Sequence, residues 1–325
     1  MQEGSMKPKV LITRKIFPEA LDYLKDHVDY EFGAREGSLN KGDLLEKMRD
    51  KKGILPLLVD IIDQEVMGAA PELMIIANCA VGFDNIDVSY AKQKGILVTN
   101  TPGVLTETTA DLTWALLLAV ARRIPQAELF TREKKYKGWE LDLFLGMEVT
   151  GKRLGIIGMG RIGKAVAARA QAFQMEIVYS DPNRLSSEEE KKFGASKVSL
   201  DELLSSSDYV TIHTTLTPET DHLISQEKLK LMKKEAILLN VARGPVVDER
   251  ALAEALEKGQ IWGAGLDVYE REPEIEVKLL SLDSVVLLPH IGSATFETRK
   301  KMAMMAARNL VQGVRGERPD NLISF

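Results

Sequence analysis

A glycine-spaced turn constrains this chain more than any other feature. Residues 154–163 carry G-x-G-x-x-G directly after an apolar run, and Asp181 closes the next apolar run about twenty residues on. Each glycine has a physical task. Gly158 permits the tight turn, Gly160 lets backbone N–H groups approach a pyrophosphate, and Gly163 lets the following helix, expected over 164–173, pack closely on the strand. The helix N-terminus then receives the anion. A glycine-rich turn between any strand and helix carries the same letters, and the run at 176–180 with an acid behind it separates the two readings. The spacing predicts a site for a nicotinamide or related dinucleotide.

Short β-rich runs alternate with helical stretches along the rest of the chain, the pattern of parallel sheets. Strands are expected at 10–13, 53–57, 74–77 and 95–99, with helices over 18–27, 64–69 and 89–94. A helix over 106–123 and a loop-rich stretch through Trp139 lead into the dinucleotide unit. There the runs at 176–180, 209–213, 236–240, 263–267 and 285–288 join the strand before Gly158, and six strands make a full Rossmann sheet. Ser199 to Glu202 reads as a capping box opening a helix over 201–206. The last helix, over 294–314, has no sheet left to complete in that unit and is expected to return to the first. The expected fold class is α/β with two doubly wound parallel-sheet domains. A Rossmann cofactor domain, 100–290, is inserted in a flavodoxin-like substrate domain made of 1–99 and 291–325.

Bulk properties exclude several function classes. A length of 325 residues suits two domains of ordinary size. The net charge of −5 comes with both signs interspersed and no long Lys/Arg block, which argues against a nucleic-acid partner. The most apolar stretch, 114–121, lies between Asp111 and Arg122, far short of a membrane span. Cys79 has no second cysteine to pair with and is expected to pack in a reducing cytosol, so the protein reads as cytoplasmic. Residues 1–5 lack the charged and apolar regions of a signal peptide, and Met6 is the expected natural start. Residues 188–192 read as a solvated helix face, His27 as solvated, and His213 and His222 as structural; none of these histidines has partners at zinc spacing.

Three polar residues follow strands of the second unit: Arg243, Glu272 and His290. Ligands of open α/β sheets bind beyond the strand C-termini. An arginine there holds a carboxylate in a fork, and a histidine paired to a glutamate is an acid–base group whose proton the carboxylate helps retain. Singly they read as a loop ion pair, a solvated charge and a turn histidine. At one edge of a nucleotide-binding sheet they form a constellation.

The motifs at 80–87, 154–163, Asn240 to Gly244, Gly265 to Tyr269, Glu272-Pro273 and Pro289 to Gly292 together resemble the D-2-hydroxyacid dehydrogenase family, from about Lys7 to the C-terminus. Within it, 99–106 and 290–294 are most similar to glyoxylate/hydroxypyruvate reductases. The resemblance implies reduction of a small 2-oxo acid to the D-2-hydroxy acid by hydride from a nicotinamide cofactor. Arg243 would bind the substrate carboxylate and 2-oxo group, His290 would protonate the forming alkoxide, and Glu272 would keep His290 protonated and oriented. The physics agrees, because hydride arriving at a carbonyl carbon builds negative charge on oxygen, and a cation and a proton donor there favour the transition state. Cofactor contacts are implied at Gly158, Gly160, Arg161, Ile162, Gly163, Val241, Ala242, Asp267 and Gly292, with Asp267 receiving the nicotinamide carboxamide unless it is a strand-end cap. Backbone N–H groups at Val81 and Gly82 would hold the carboxylate as a nest. Leu57 would form an apolar wall against the rest of the substrate, with core packing as its other reading.

Asp181 would bond the ribose 2′-OH and repel a 2′-phosphate, which favours NAD(H), with NADP(H) as the alternative. This departs from several glyoxylate reductases that carry Arg and Thr after the Tyr-Ser and prefer NADPH. Arg184 is the nearby cation that would have to reach a 2′-phosphate. The stretch 130–146, with Trp139, resembles one that packs on a second subunit, so a homodimer is expected with the Trp114 helix at or near the interface; Trp139 in the chain's own core is the other reading. Rival substrates in the same chemistry are phosphoglycerate and ketogluconate. The former would want a second cationic cluster near Leu57, and that loop carries none. A different class is a corepressor-like NAD(H) sensor; such proteins carry extensions, and the short stretch after the final helix favours the enzyme.

Overall fold

The structure, a computed structural model, describes residues 6–33 and 39–323, so the reading of residues 1–5 lies outside the described residues. The chain divides into two units, Met1–Leu105 with Ser293–Phe325, and Thr106–Gly292. Both junctions fall slightly later than expected. The Thr101 N–H donates to the Ala80 carbonyl and the Asn100 N–H to that of Asn321, which keeps 100–101 with the first unit. Gly292 accepts from the Thr109 hydroxyl and donates to Asp267, which keeps it with the second.

The first unit contains β1 (Lys9–Ile12), α1 (Pro18–His27), β2 (Asp29–Phe32), α2 (Lys41–Met48), β3 (Gly53–Leu55), α3 (Gln64–Gly68), β4 (Ile75–Ala77), α4 (Val88–Lys94), β5 (Leu97–Thr99) and, from the far end of the chain, α12 (Phe296–Val314). The five strands are parallel in the order β2-β1-β3-β4-β5, the flavodoxin-like arrangement. One face is covered by Ala20 and Leu24 of α1 and by Ala303, Ala306, Ala307 and Leu310 of α12. Leu44, Met48, Val66 and Ala91 of α2, α3 and α4 cover the other. Helix α12 packs closely over Gly53, where a Cβ would meet Leu310 Cδ1 at 2.7 Å. Strand β2 was not expected from the sequence. It lies at the sheet edge with only alternate residues half-buried, so its apolar signal is weak.

The second unit contains α5 (Thr106–Ala121), α6 (Ile124–Arg132), β6 (Arg153–Ile157), α7 (Arg161–Ala170), β7 (Glu176–Ser180), α8 (Ser187–Phe193), β8 (Ala195–Lys197), α9 (Leu200–Ser206), β9 (Tyr209–Ile212), α10 (Gln226–Leu229), β10 (Ile237–Asn240), α11 (Glu249–Glu257), β11 (Gly263–Leu266) and β12 (Val285–Leu287). Its strands are parallel in the order β12-β11-β10-β9-β6-β7-β8, a Rossmann sheet with seven strands rather than six. The additional strand is the three-residue β8. Trp114, Leu116 and Leu117 of α5 with Val166 and Ala167 of α7 cover one face, and Leu203, Leu229, Leu252 and Leu256 of α9, α10 and α11 cover the other. Trp114 is an internal residue, stacked on Phe173 at 4.5 Å with its indole N–H on the Val166 carbonyl. Helix α6 replaces part of the expected loop-rich stretch; it buries none of its residues, so no apolar stripe marked it. Among the described residues no helix is long and apolar enough to cross a membrane.

Candidate active site

Strand order in the second sheet reverses between β6 and β9, and the glycine turn lies at the C-terminal end of β6, where such folds bind ligands. Gly158 has φ +90°, and a Cβ on it would lie 2.7 Å from the His213 carbonyl carbon. A Cβ on Gly163 would lie 2.2 Å from the Gly158 oxygen, so the first turn of α7 rests directly on the glycine loop. Gly160 differs: a Cβ there would meet nothing within 4 Å, and as N-cap of α7 it brings no side chain to the helix N–H groups. The N-terminus of α7 is thus bare on the side from which a pyrophosphate would approach. Arg161 and Ile162 are the next two residues, with Ile162 packed on the core below. These residues fit a dinucleotide.

Asp181 follows β7 and is held on both oxygens, by the Met159 N–H at 2.8 Å and the Asn183 N–H at 2.8 Å. It is therefore fixed beside the glycine turn. Arg184 is not a free loop cation. Its guanidinium forks onto Glu190 at 3.0 and 3.2 Å, and the Tyr179 hydroxyl bonds the same carboxylate. Residues 188–192 are correspondingly more than a solvated face, since Glu189 closes a capping box with Ser186 and pairs with Lys164. His213 has its Nε2 bonded to Thr211 Oγ1 at 2.9 Å, and burial pushes it down to about 3. It is neutral and structural.

At the other edge, β10, β11 and β12 are consecutive neighbours, and Arg243, Glu272 and His290 lie in the segments that follow them. The His290 Nδ1–H donates to Glu272 Oε2 at 2.9 Å. His290 sits at φ +53°, a left-handed backbone unusual for a side-chain-bearing residue. Asp267 holds it there, accepting from the Ile291 and Gly292 N–H groups at 2.7 Å each. Asp267 thus has the cap role directly, and burial raises its carboxyl above the ordinary range despite those two bonds. For Glu272, burial pushes the carboxyl up; the His290 bond and charge, the Tyr269 N–H at 3.1 Å and the nearby Arg243 charge outweigh it and hold the group below the ordinary range. Glu272 is an anion aimed at His290.

Arg243 is positioned from behind. Asn240 donates to its carbonyl at 2.8 Å, and its own Nη1 donates to the Ala242 carbonyl at 2.8 Å. Gly244 was not singled out from sequence, yet a Cβ on it would lie 1.9 Å from the Tyr269 carbonyl. The Arg243 turn is pressed flat against the Tyr269–Glu270 peptide, two residues before Glu272. Val241 is buried just ahead of this turn.

In the first unit, the turn at Val81 and Gly82 has its carbonyls held from one side. A trans peptide turns its N–H away from its C=O. The Thr101 N–H takes the Ala80 carbonyl at 2.9 Å and Asn100 Nδ2 the Val81 carbonyl at 2.7 Å, so the Val81 and Gly82 N–H groups both point away from the segment after β5. Asn78 steadies the turn through the Gly82 carbonyl at 2.8 Å. Leu57 packs in part on the core and its N–H donates to buried Asp60 at 2.9 Å. Asp60 also accepts from Thr13 at 2.6 Å and from Arg14 at 3.3 Å. The loop itself carries no cation, but the fold brings Arg14 to it from the segment after β1, already paired. Cys79 packs on the same core, and burial pushes its thiol up to about 12.

Other readings change. His27 is half-buried rather than solvated, edge-on to Tyr23 with Nδ1 at 3.0 Å from Arg315. His222 Nε2 lies 2.9 Å from Glu270. Trp139 is 79% exposed, which removes the core-packing reading. Leu129, Tyr136, Leu141 and Leu145 are exposed with it. Among the described residues no group of three His, Cys, Asp or Glu gathers that could hold a metal ion.

Comparison with known proteins gives the following. The family model for the D-isomer specific 2-hydroxyacid dehydrogenase, NAD binding domain, matches residues 114–292. The chain is 50% identical over 323 residues to a glyoxylate reductase of Thermococcus onnurineus, covering 98% of this chain and 96% of the relative. Among solved structures it is similar to a glyoxylate reductase from Paecilomyes thermophila, with a TM-score of 0.88 at 33% identity and 98% of each chain covered. It is also similar to an NADPH-dependent glyoxylate/hydroxypyruvate reductase from Sinorhizobium meliloti in complex with NADP and malonate, with a TM-score of 0.87 at 34% identity, covering 98% of this chain and 97% of that one.

Proposed function

This chain belongs to the D-isomer specific 2-hydroxyacid dehydrogenases, and on that premise we propose that it reduces a small 2-oxo acid, glyoxylate or hydroxypyruvate, to the D-2-hydroxy acid. The observation that carries the reading is the 2.9 Å His290–Glu272 bond with the Arg243 charge close by, in the segments after three neighbouring strands. A bound reduced nicotinamide supplies the hydride. As charge grows on the substrate's former carbonyl oxygen, Nε2 of His290 gives its proton there while Glu272 on Nδ1 steadies the ring. Arg243 holds the carboxylate in its fork and shares the growing charge. In the reverse direction His290 is the base.

NAD(H) is the preferred cofactor in this reading, because Asp181 is fixed beside the glycine turn and Arg184 is tied to Glu190. NADP(H) is the alternative that the NADPH-dependent relative raises. Cofactor contacts run along Gly158 to Gly163, with Val241, Ala242 and Gly292 lining the nicotinamide end and Asp267 shaping it from behind through the Ile291 and Gly292 N–H groups. The exposed apolar side chains of 129–145 support a homodimer, since a lone chain rarely leaves so many to water. A cytoplasmic setting agrees with the single cysteine.

The test is cofactor oxidation with glyoxylate, hydroxypyruvate, pyruvate and phenylpyruvate, each with NADH and NADPH, compared by kcat/KM. Fast turnover of the two small acids with NADH is expected. No turnover with any of the four would overturn the reading in favour of another acid or a cofactor sensor. Light scattering should give twice the chain mass of 36.1 kDa.

A further inference from the structure

Glu249 is a buried carboxylate, 6% exposed, that the proposed chemistry does not use. A buried acid must find donors, and its donors here are informative. Glu249 opens α11, but the helix is already capped, because Asp248 accepts the Ala251 N–H at 2.9 Å. Glu249 instead reaches across to the segment after β11. It accepts the Glu270 N–H at 2.8 Å on one oxygen and the Glu276 N–H at 2.6 Å on the other. Glu270 returns the bond, accepting the Glu249 N–H at 2.8 Å, and its carboxylate also meets His222 Nε2 at 2.9 Å. One carboxylate thereby pins both ends of the loop 270–276, in whose middle Glu272 lies.

Packing does little to shape that loop. Arg271, Pro273 and Glu274 are exposed, the Glu272 side chain is part-covered, and Ile275 is the one residue between the pinned ends that packs on the core. We propose that Glu249 and Glu270 are positioning residues, which fix the loop 270–276 so that Glu272 meets His290. The inference rests on the acid–base reading of His290 and Glu272. Neither glutamate touches substrate; both act through Glu272.

The test uses the full chain in four forms: wild type, Glu249→Ala, Glu249→Gln and Glu272→Ala. Histidines are labelled with nitrogen-15, and the ring shifts of His290, assigned with His290→Gln, are read in long-range proton–nitrogen correlations. In Glu249→Ala the Nδ1 shift should move most of the way to its value in Glu272→Ala. With glyoxylate and NADH, kcat should fall about tenfold while KM for NADH stays within about twofold. Glu249→Gln keeps one acceptor oxygen and should fall between; it carries the test if the alanine variant does not fold. A His290 Nδ1 shift left at the wild-type value in a folded variant would overturn the inference, as would a kcat loss no larger than the loss of folded protein. Failure of wild type to reduce any 2-oxo acid would instead sink the proposed function, and the nitrogen shifts would still decide the positioning.

Discussion

Substituting Gly244 by Ala isolates the contact between the Arg243 turn and the loop that carries Glu272. The backbone at Gly244 opens a short 3-10 turn with no positive φ, so alanine meets no conformational penalty of its own. Its Cβ, however, would lie 1.9 Å from the carbonyl carbon and oxygen of Tyr269 and 2.4 Å from the Glu270 nitrogen. Ordinary contact lies near 3.5 Å, so the two segments must part by about 1.5 Å, and both sides are backbone. Overpacking of this kind costs about 1–3 kcal/mol. Displacing catalytic groups by about 1 Å costs roughly a hundredfold in rate. Gly244→Ala should therefore lower the urea midpoint and cut kcat/KM with glyoxylate far more than it changes cofactor binding, measured by reduced-cofactor absorbance and by fluorescence titration. Wild-type midpoint together with wild-type turnover would refute the reasoning, because it would mean that the Tyr269–Glu270 backbone yields freely.

Three more outcomes are expected. His290→Gln should reduce kcat by about 10²–10⁴-fold at unchanged cofactor affinity, and equal loss of both would point to misfolding. Glu272 is held below its ordinary 4.5, so its contribution to stability is present above that value and is lost as pH falls through the lower folded-state value; the stability gap between wild type and Glu272→Gln should shrink on acidification, and a gap constant with pH would contradict it. Asp181→Ser should raise kcat/KM for NADPH relative to NADH by removing the charge that repels a 2′-phosphate, while a ratio unmoved by the change would mean that Asp181 serves only the Met159 and Asn183 N–H groups.

Residues that lie next to strong local signals were legible in the sequence. Gly158, Gly160, Gly163 and Asp181 follow apolar runs at set spacing, and Arg243, Glu272 and His290 follow β10, β11 and β12. Edge elements were not legible. Strands β2 and β8 and helix α6 bury little, and hydrophobic periodicity reports burial rather than structure. Supports made of distant partners were also hidden. Asp60 meets Thr13 across 47 positions, Glu249 meets Glu270 across 21, and Gly244 meets the Tyr269 peptide, pairings that no local pattern encodes. Even Asp267, visible as a strand-end acid, took its clearest role only when the Ile291 and Gly292 N–H groups were seen on it.

The left-handed backbone at His290 sets two demands against each other at one position. The proposed chemistry asks for an imidazole, while a φ of +53° suits glycine and asparagine best and costs most other side chains about 1–2 kcal/mol. A library screened for heat resistance alone would weigh that relief against the loss of Glu272's partner, and glycine or asparagine would in either case remove the proposed acid–base group. Histidine here therefore sets the proposed turnover against backbone ease, with the Glu272 bond as the counterweight.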